Sequence, residues 1–220
     1  MGSQMIQIII LAGIALFLIL RLRNVLGTRE GFEKPRVPAP TGAPRRERPF
    51  EVIEGGGPDP DIADFVDAES PAGKALAEMK RVDPEFSVHE FSHGARQAYE
   101  MIVMAYEKGD LETLREFLAP DVYEPFAQAI EARNAKGYTV EAEFVGIREV
   151  SIVDAHFDPQ TNEADVSVRF LGELTSAVRD PEGRIVEGDP KEIKQQRDVW
   201  TFTRNMASDN PNWLLSGTGG

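Results

Sequence analysis

The hydrophobic spacing of this chain changes once, near Gly137, and that change sets what it can fold into. Ahead of Gly137 apolar residues recur at helical intervals; behind it they alternate. Ser87 and Glu90 have the spacing of a capping box. Phe91, Ala95, Ala98, Tyr99, Ile102, Val103 and Tyr106 then form one stripe of a helical period. Gly109 is expected to stop that helix and Asp110 to cap a short one from Leu111 to Leu118. Pro120 opens a third, with Val122, Phe126, Ala129, Ile130 and Arg133. Past Gly137, Tyr138, Val140, Ala142 and Phe144 alternate with polar neighbours. Beyond Gly146 the phase moves to Val150, Ile152 and Asp154, as a bulge would produce. Ala164, Val166, Val168 and Phe170 predict a second strand after the turn Asp158–Asn162. Trp200 and Phe202 mark a third, once Asp180-Pro181-Glu182-Gly183 and Glu187-Gly188-Asp189-Pro190 have turned the chain. Trp213-Leu214-Leu215 makes a short last strand. Helices followed by antiparallel strands predict an α+β fold, with helices on one face of a curved sheet.

The front of the chain follows a different rule. No charged side chain occurs from Met1 to Leu20, and only Gln7 interrupts the apolar run that begins at Met5. A helix holding Ile6, Ile10, Leu11, Ile14, Leu18 and Leu20 would be about twenty residues long, enough for the roughly 30 Å hydrocarbon layer. A cleaved signal peptide needs basic residues before its apolar stretch and a small-x-small site after it. Here the start is uncharged and Arg21-Leu22-Arg23 follows. A single-pass anchor over residues 1–23 is therefore expected. Arg21, Arg23 and Arg29 on its C-terminal flank predict a cytoplasmic location for everything that follows.

Residues 24–60 read as a disordered tether, with Pro35, Pro38, Pro40, Pro44 and Pro49 followed by Gly55-Gly56-Gly57-Pro58. Arg21 to Pro49 carries eight basic and three acidic side chains, a net +5. The chain's formal charge is -13, so the part from Phe50 onward carries -18. The basic cluster at Arg21, Arg23 and Arg29 is suited to anionic lipid head groups. Residues 61–85 read as an amphipathic helical segment, through Ile62, Phe65 and Val66 and then Ala72, Ala75, Leu76 and Met79. The compact domain is expected over residues 86–216.

Function classes fall away on composition. The chain has no cysteine, which removes disulfides, thiolate zinc sites, iron–sulfur clusters and cysteine nucleophiles. The acidic balance disfavours nucleic acid. His89-Glu90-x-x-His93 matches a zinc-peptidase string, with histidines at i and i+4. However, Glu90 is already explained as a capping residue, both histidines lie on the polar side of the helix, and no third ligand is assigned. His89 and His93 are thus weak metal candidates. A membrane-bound zinc peptidase stands as the enzymatic alternative, and a small-ligand pocket involving Tyr99, Tyr106 or His156 as another. Asp158, Asn162 and Asp165 lack the glycine and final glutamate of a calcium loop and fit a hairpin turn. No catalytic or cofactor-binding residue is assigned, no cofactor is expected, and the balance favours a non-enzymatic binding role.

A family resemblance rests on several strings in order. They are Phe91-Ser92-His93-Gly94-Ala95 leading to Ala98-Tyr99-Glu100-Met101-Ile102, then Ala105-Tyr106-Glu107-Lys108-Gly109-Asp110 with Leu114. Trp200-Thr201-Phe202-Thr203-Arg204 and Pro211-Asn212-Trp213-Leu214-Leu215 follow. Through them the chain resembles the Tim44 family in its bacterial, TimA-type form. The resemblance implies a cone-shaped α+β domain similar to nuclear transport factor 2. It also implies an inner-membrane adaptor or scaffold for other proteins, in protein translocation or membrane-protein assembly. The mitochondrial relative recruits a chaperone through a long N-terminal region that this chain lacks, so anchoring and adaptor activity carry over more directly than the chaperone partnership.

Overall fold

The computed structural model describes residues 57–219. The expected anchor, including Ile6, Ile10, Leu11, Ile14, Leu18 and Leu20, and the head-group candidates Arg21, Arg23 and Arg29 lie outside the described residues. Among the described residues no helix is long and apolar enough to cross a membrane.

Among the described residues five helices precede four strands: α1 (Pro60–Ala63), α2 (Pro71–Val82), α3 (Val88–Lys108), α4 (Leu111–Phe117), α5 (Pro120–Ala135), β1 (Thr139–Asp158), β2 (Glu163–Arg179), β3 (Ile185–Asn205) and β4 (Leu214–Gly219). The fold is α+β. The strands form one antiparallel sheet in the order β1-β2-β3-β4.

The helix ends follow the local chemistry of the sequence. Ser70 caps α2, accepting from the Gly73 amide at 3.0 Å. Asp110 does the same for α4 at Thr113, 3.1 Å away. The last residues of the expected tether, 24–60, already take part in α1. Asp59 caps α1 and its carboxylate lies 2.7 Å from Lys80 on α2. The helical stripe expected over residues 61–85 is broken between Ala63 and Pro71 by turns, but its apolar positions are buried or, at Phe65, Val66 and Ala75, half-buried against the core. Ile62, Leu76 and Met79 belong to the same core as the strands.

The cap of α3 corrects the expected capping box: among the described residues the Glu90 carboxylate accepts nothing from the Ser87 amide, and Asp61 supplies the second acceptor. Ser87 Oγ accepts from the Glu90 amide, but the Val88 and His89 amides donate to the Asp61 carboxylate, at 2.8 and 3.0 Å. Asp61 also accepts from Ser87 Oγ at 3.1 Å and pairs with Lys80 at 2.9 Å. Burial alone would raise its pKa. Lys80, the two amides and Ser87 together outweigh that and hold it down at about 2.

Two expectations for the strands need correction. Glu187-Gly188-Asp189-Pro190 does not turn the chain; it lies inside β3, which runs back to Ile185. Gly188 has φ +76° and a Cβ there would lie 2.1 Å from the Ser176 carbonyl oxygen, so the string marks a bulge pressed against β2. Asp154 does not share a face with Ile152. A register shift between them leaves Asp154 exposed and turns Ala155 inward. The expected phase change near Gly146 coincides with a register shift between Phe144 and Gly146.

The core is aromatic. Tyr99, only 1% exposed, stacks on Phe170 at 4.4 Å and lies 4.6 Å from Trp200, centroid to centroid. Its hydroxyl donates to Asp198 Oδ2 at 2.7 Å. Burial, then that carboxylate, pushes the phenol far above its ordinary range.

Candidate functional site

A cleft of about 970 Å³ opens between the N-terminal half of α3, the α2–α3 connection and the β3–β4 loop. It exists because α3 presents small residues there: Gly94, Ala95 and Ala98 face it, and a Cβ on Gly94 would meet nothing within 4 Å. The floor is apolar. Phe91 lies 4.8 Å from Trp213 and 6.1 Å from Phe202, both edge to face, and Phe86 lies 5.8 Å from Trp213. Phe117 of α4 completes it.

The lining is strongly acidic. Glu85, Glu90, Glu116 and Asp209 are all exposed along the cleft. Among the described residues its lining holds one basic residue, Arg204, which is already neutralised. Arg204 pairs with Asp83 at 2.9 Å, the two side chains being 10% and 18% exposed. Its Nε donates to the Asn210 carbonyl at 3.1 Å, so the same guanidinium ties the β3–β4 loop to the end of α2. The result is an apolar groove under an uncompensated negative field. That arrangement selects positive charge on an apolar or aromatic scaffold.

The residues singled out from the sequence fall in different places. Glu90 lines the cleft. His89 and His93 are exposed on α3, with the His89 ring edge-on to Phe65 at 6.1 Å. Among the described residues no three His, Asp or Glu side chains converge in a metal-binding group. His156 is exposed on β1, opposite Asp165 of β2. Asp158 accepts from the Gln160 amide at 2.8 Å in a tight turn closed by Asn162 at φ +58°. Tyr99 belongs to the core, and Tyr106 packs edge-on against Phe126 at 5.1 Å.

Glu85, Glu116 and Asp209 have no sequence signal of their own, being ordinary surface acids until the fold gathers them. What the sequence did contain is a set of distant strings that meet here. Phe91, Gly94 and Ala95 come from the first, Phe202 and Arg204 from a second, and Pro211, Asn212 and Trp213 from the last.

Comparison with known proteins agrees with the resemblance read from those strings. The family model of the Tim44-like domain matches residues 72–220. The mitochondrial import inner membrane translocase subunit TIM44 of Rattus norvegicus is 25% identical over 153 residues, 69% of this chain and 33% of that protein. TIM44 of Homo sapiens is 25% identical over the same shares, and TIM44-1 of Arabidopsis thaliana is 24% identical, covering 67% of this chain and 32% of its own length. The chain thus spans about a third of the length of the curated relatives it matches. Among solved structures, the intermembrane space region of the chloroplast protein ARC6 is 9% identical, covers 58% of this chain and 94% of its own, and superposes with a TM-score of 0.40.

Proposed function

The chain belongs to the Tim44-like domain family, and from that premise we propose that it is a non-enzymatic adaptor, anchored in an inner membrane by residues 1–23, whose domain holds basic polypeptide segments beside the bilayer. The observation that carries this reading is the aromatic cleft ringed by Glu85, Glu90, Glu116 and Asp209, in which Arg204, the one cation of the lining among the described residues, is already paired. A groove of this kind takes an extended or helical segment by its apolar side while the carboxylates meet its Lys and Arg residues. The relatives' names place them in a translocase of a mitochondrial inner membrane, which supports a translocation or membrane-assembly setting for this protein too.

The charge division supports the anchoring half of the reading. Everything from Phe50 on carries -18 and is repelled by an anionic leaflet, whereas Arg21, Arg23 and Arg29 flank the apolar run at head-group depth. The cone similar to nuclear transport factor 2, with the cytoplasmic side as its location, belongs to the same proposal. Packing of α2 and α3 across β1 supports that architecture.

The test uses the full chain in detergent micelles and a fluorescent amphipathic peptide carrying Arg and Leu. Binding should weaken steeply with salt, and Glu85→Gln, Glu90→Gln and Glu116→Gln together should weaken it by about tenfold or more. An affinity indifferent to both salt and the triple substitution would overturn the polypeptide reading. On the membrane side, the chain should stay in the pellet after alkaline carbonate extraction, and recovery in the supernatant would overturn the anchor.

A further inference from the structure

A second cavity, of about 430 Å³, lies at the other end of α3. Ile102, Val103, Tyr106 and Glu107 of α3 form one wall, Phe126 and Ala129 of α5 another, and Asp198 and Trp200 of β3 the third. Its walls are mainly apolar and aromatic, a composition typical of small-molecule sites, and its volume is in their range. Two carboxylates, Glu107 and Asp198, share this lining, and it contains no Lys, Arg or His.

Both carboxylates are held in place and both keep acceptor capacity. Ser176 Oγ donates to Glu107 Oε2 at 3.0 Å; among the described residues no donor is bonded to Oε1. Asp198 accepts from the Tyr99 hydroxyl at 2.7 Å on one oxygen and from Gln196 at 3.2 Å on the other, leaving lone pairs on each. Arg133, the cation that reaches this part of α3, donates instead to the Tyr106 and Glu107 carbonyl oxygens, both at 3.0 Å. The Arg133 guanidinium lies over the outer Tyr106 ring at 5.7 Å, but among the described residues neither carboxylate has an ion-pair partner.

We infer that this cavity is a ligand site separate from the polypeptide cleft, for an ammonium or guanidinium group carried on a short apolar stem. The charged end meets Glu107 and Asp198, and the stem packs among Val103, Tyr106 and Phe126. The half-buried Phe126 ring adds attraction for the cation. A neutral ligand of the same size gains the apolar contacts alone, and an anion is repelled.

The full chain, titrated calorimetrically in detergent micelles with n-butylguanidinium, should show saturable binding with a Kd on the order of a millimolar. n-Butanol and n-butyrate, with the same stem, should show none. Glu107→Gln and Asp198→Asn keep an acceptor for Ser176 and Tyr99 and should weaken binding by about tenfold. Ala129→Phe, at an exposed position on the cavity wall, should abolish it while leaving the thermal transition in place. His93→Ala, an exposed change on α3 away from this cavity, should leave n-butylguanidinium binding unchanged. Comparing n-butylguanidinium with acetyl-Ala-Arg-Ala-amide assigns the source, a free small molecule if the first binds more tightly and a partner's arginine if the second does. Equal binding of n-butanol, binding that survives Glu107→Gln, Asp198→Asn and Ala129→Phe, or no binding of any cation would overturn the inference.

Discussion

Gly172→Ala should destabilise this domain by about 2 kcal/mol, a large loss for one methyl group. Gly172 sits in β2 between Ile147 and Gln196 of its neighbours. A Cβ there would lie 2.7 Å from the Tyr99 hydroxyl oxygen and 2.8 Å from its Cε1, closer than van der Waals contact permits. Tyr99 has little room to withdraw. It is stacked on Phe170, wedged against Trp200 and bonded to Asp198. The added methyl therefore overpacks the core, at about 1–3 kcal/mol, or displaces the ring and breaks the bond to Asp198, at about 1–3 kcal/mol. Urea denaturation measures the loss. In a Tyr99→Leu background, where the obstructing ring is gone, the same substitution should cost less than about 1 kcal/mol. An undiminished cost in that background would show that the clash with Tyr99 is not the cause.

Asp61→Asn should remove much of the hold of α1 on the start of α3, and the effect should depend on pH. Asp61 accepts from two backbone amides and from Ser87, and pairs with Lys80, while its side chain is 22% exposed. These contacts place its pKa at about 2, against an ordinary value of 3.8. A carboxyl whose folded-state pKa is depressed contributes stability that is fully present above its unfolded pKa. That contribution is lost as pH falls through the folded one. The linked free energy is about 1–2 kcal/mol after allowance for solvent screening. Denaturation curves for the two proteins should thus be separated by that amount at pH 6 and converge between about pH 4 and pH 2. A gap that stays constant across that window would mean that the carboxylate's charge plays no part.

The two cases differ in what sequence reasoning could see. Gly172 sits at the end of a readable alternation, Ala164, Val166, Val168 and Phe170, which predicted the strand but not its length. The pattern stops because Gly172, Glu173 and Leu174 are buried in succession. Glu173 tolerates burial through Arg148 at 2.8 Å and Gln195 at 3.0 Å, and the Arg148 guanidinium, helped by Gln195, holds its pKa down. A buried glutamate inside an apolar run reads as an interruption unless its partners are known, and those partners come from two other strands. The same applies to Gly188. Gly and Pro two residues apart carry a turn signal, and only the pairing of β2 with β3 turns that signal into a bulge. Asp61 shows the converse: Ser87 and Glu90 have capping-box spacing, yet the second acceptor arrives from 26 residues upstream of Ser87.

Periodicity alone determined that helices come first and strands second, where α3 and α5 begin, and that Phe91, Tyr99, Ile102 and Trp200 face inward. Those properties depend on neighbours within a few residues, which a sequence displays directly. Only the tertiary structure decided the reach of β2 and β3, the cap on α3 and the two acidic hollows at either end of that helix. Glu85, Glu90, Glu116 and Asp209 span well over a hundred positions of the chain, and Glu107 and Asp198 nearly as many. Electrostatic and packing energies fall off with distance in space rather than along the backbone. Charges that are unrelated in sequence therefore become one field only when the chain has folded.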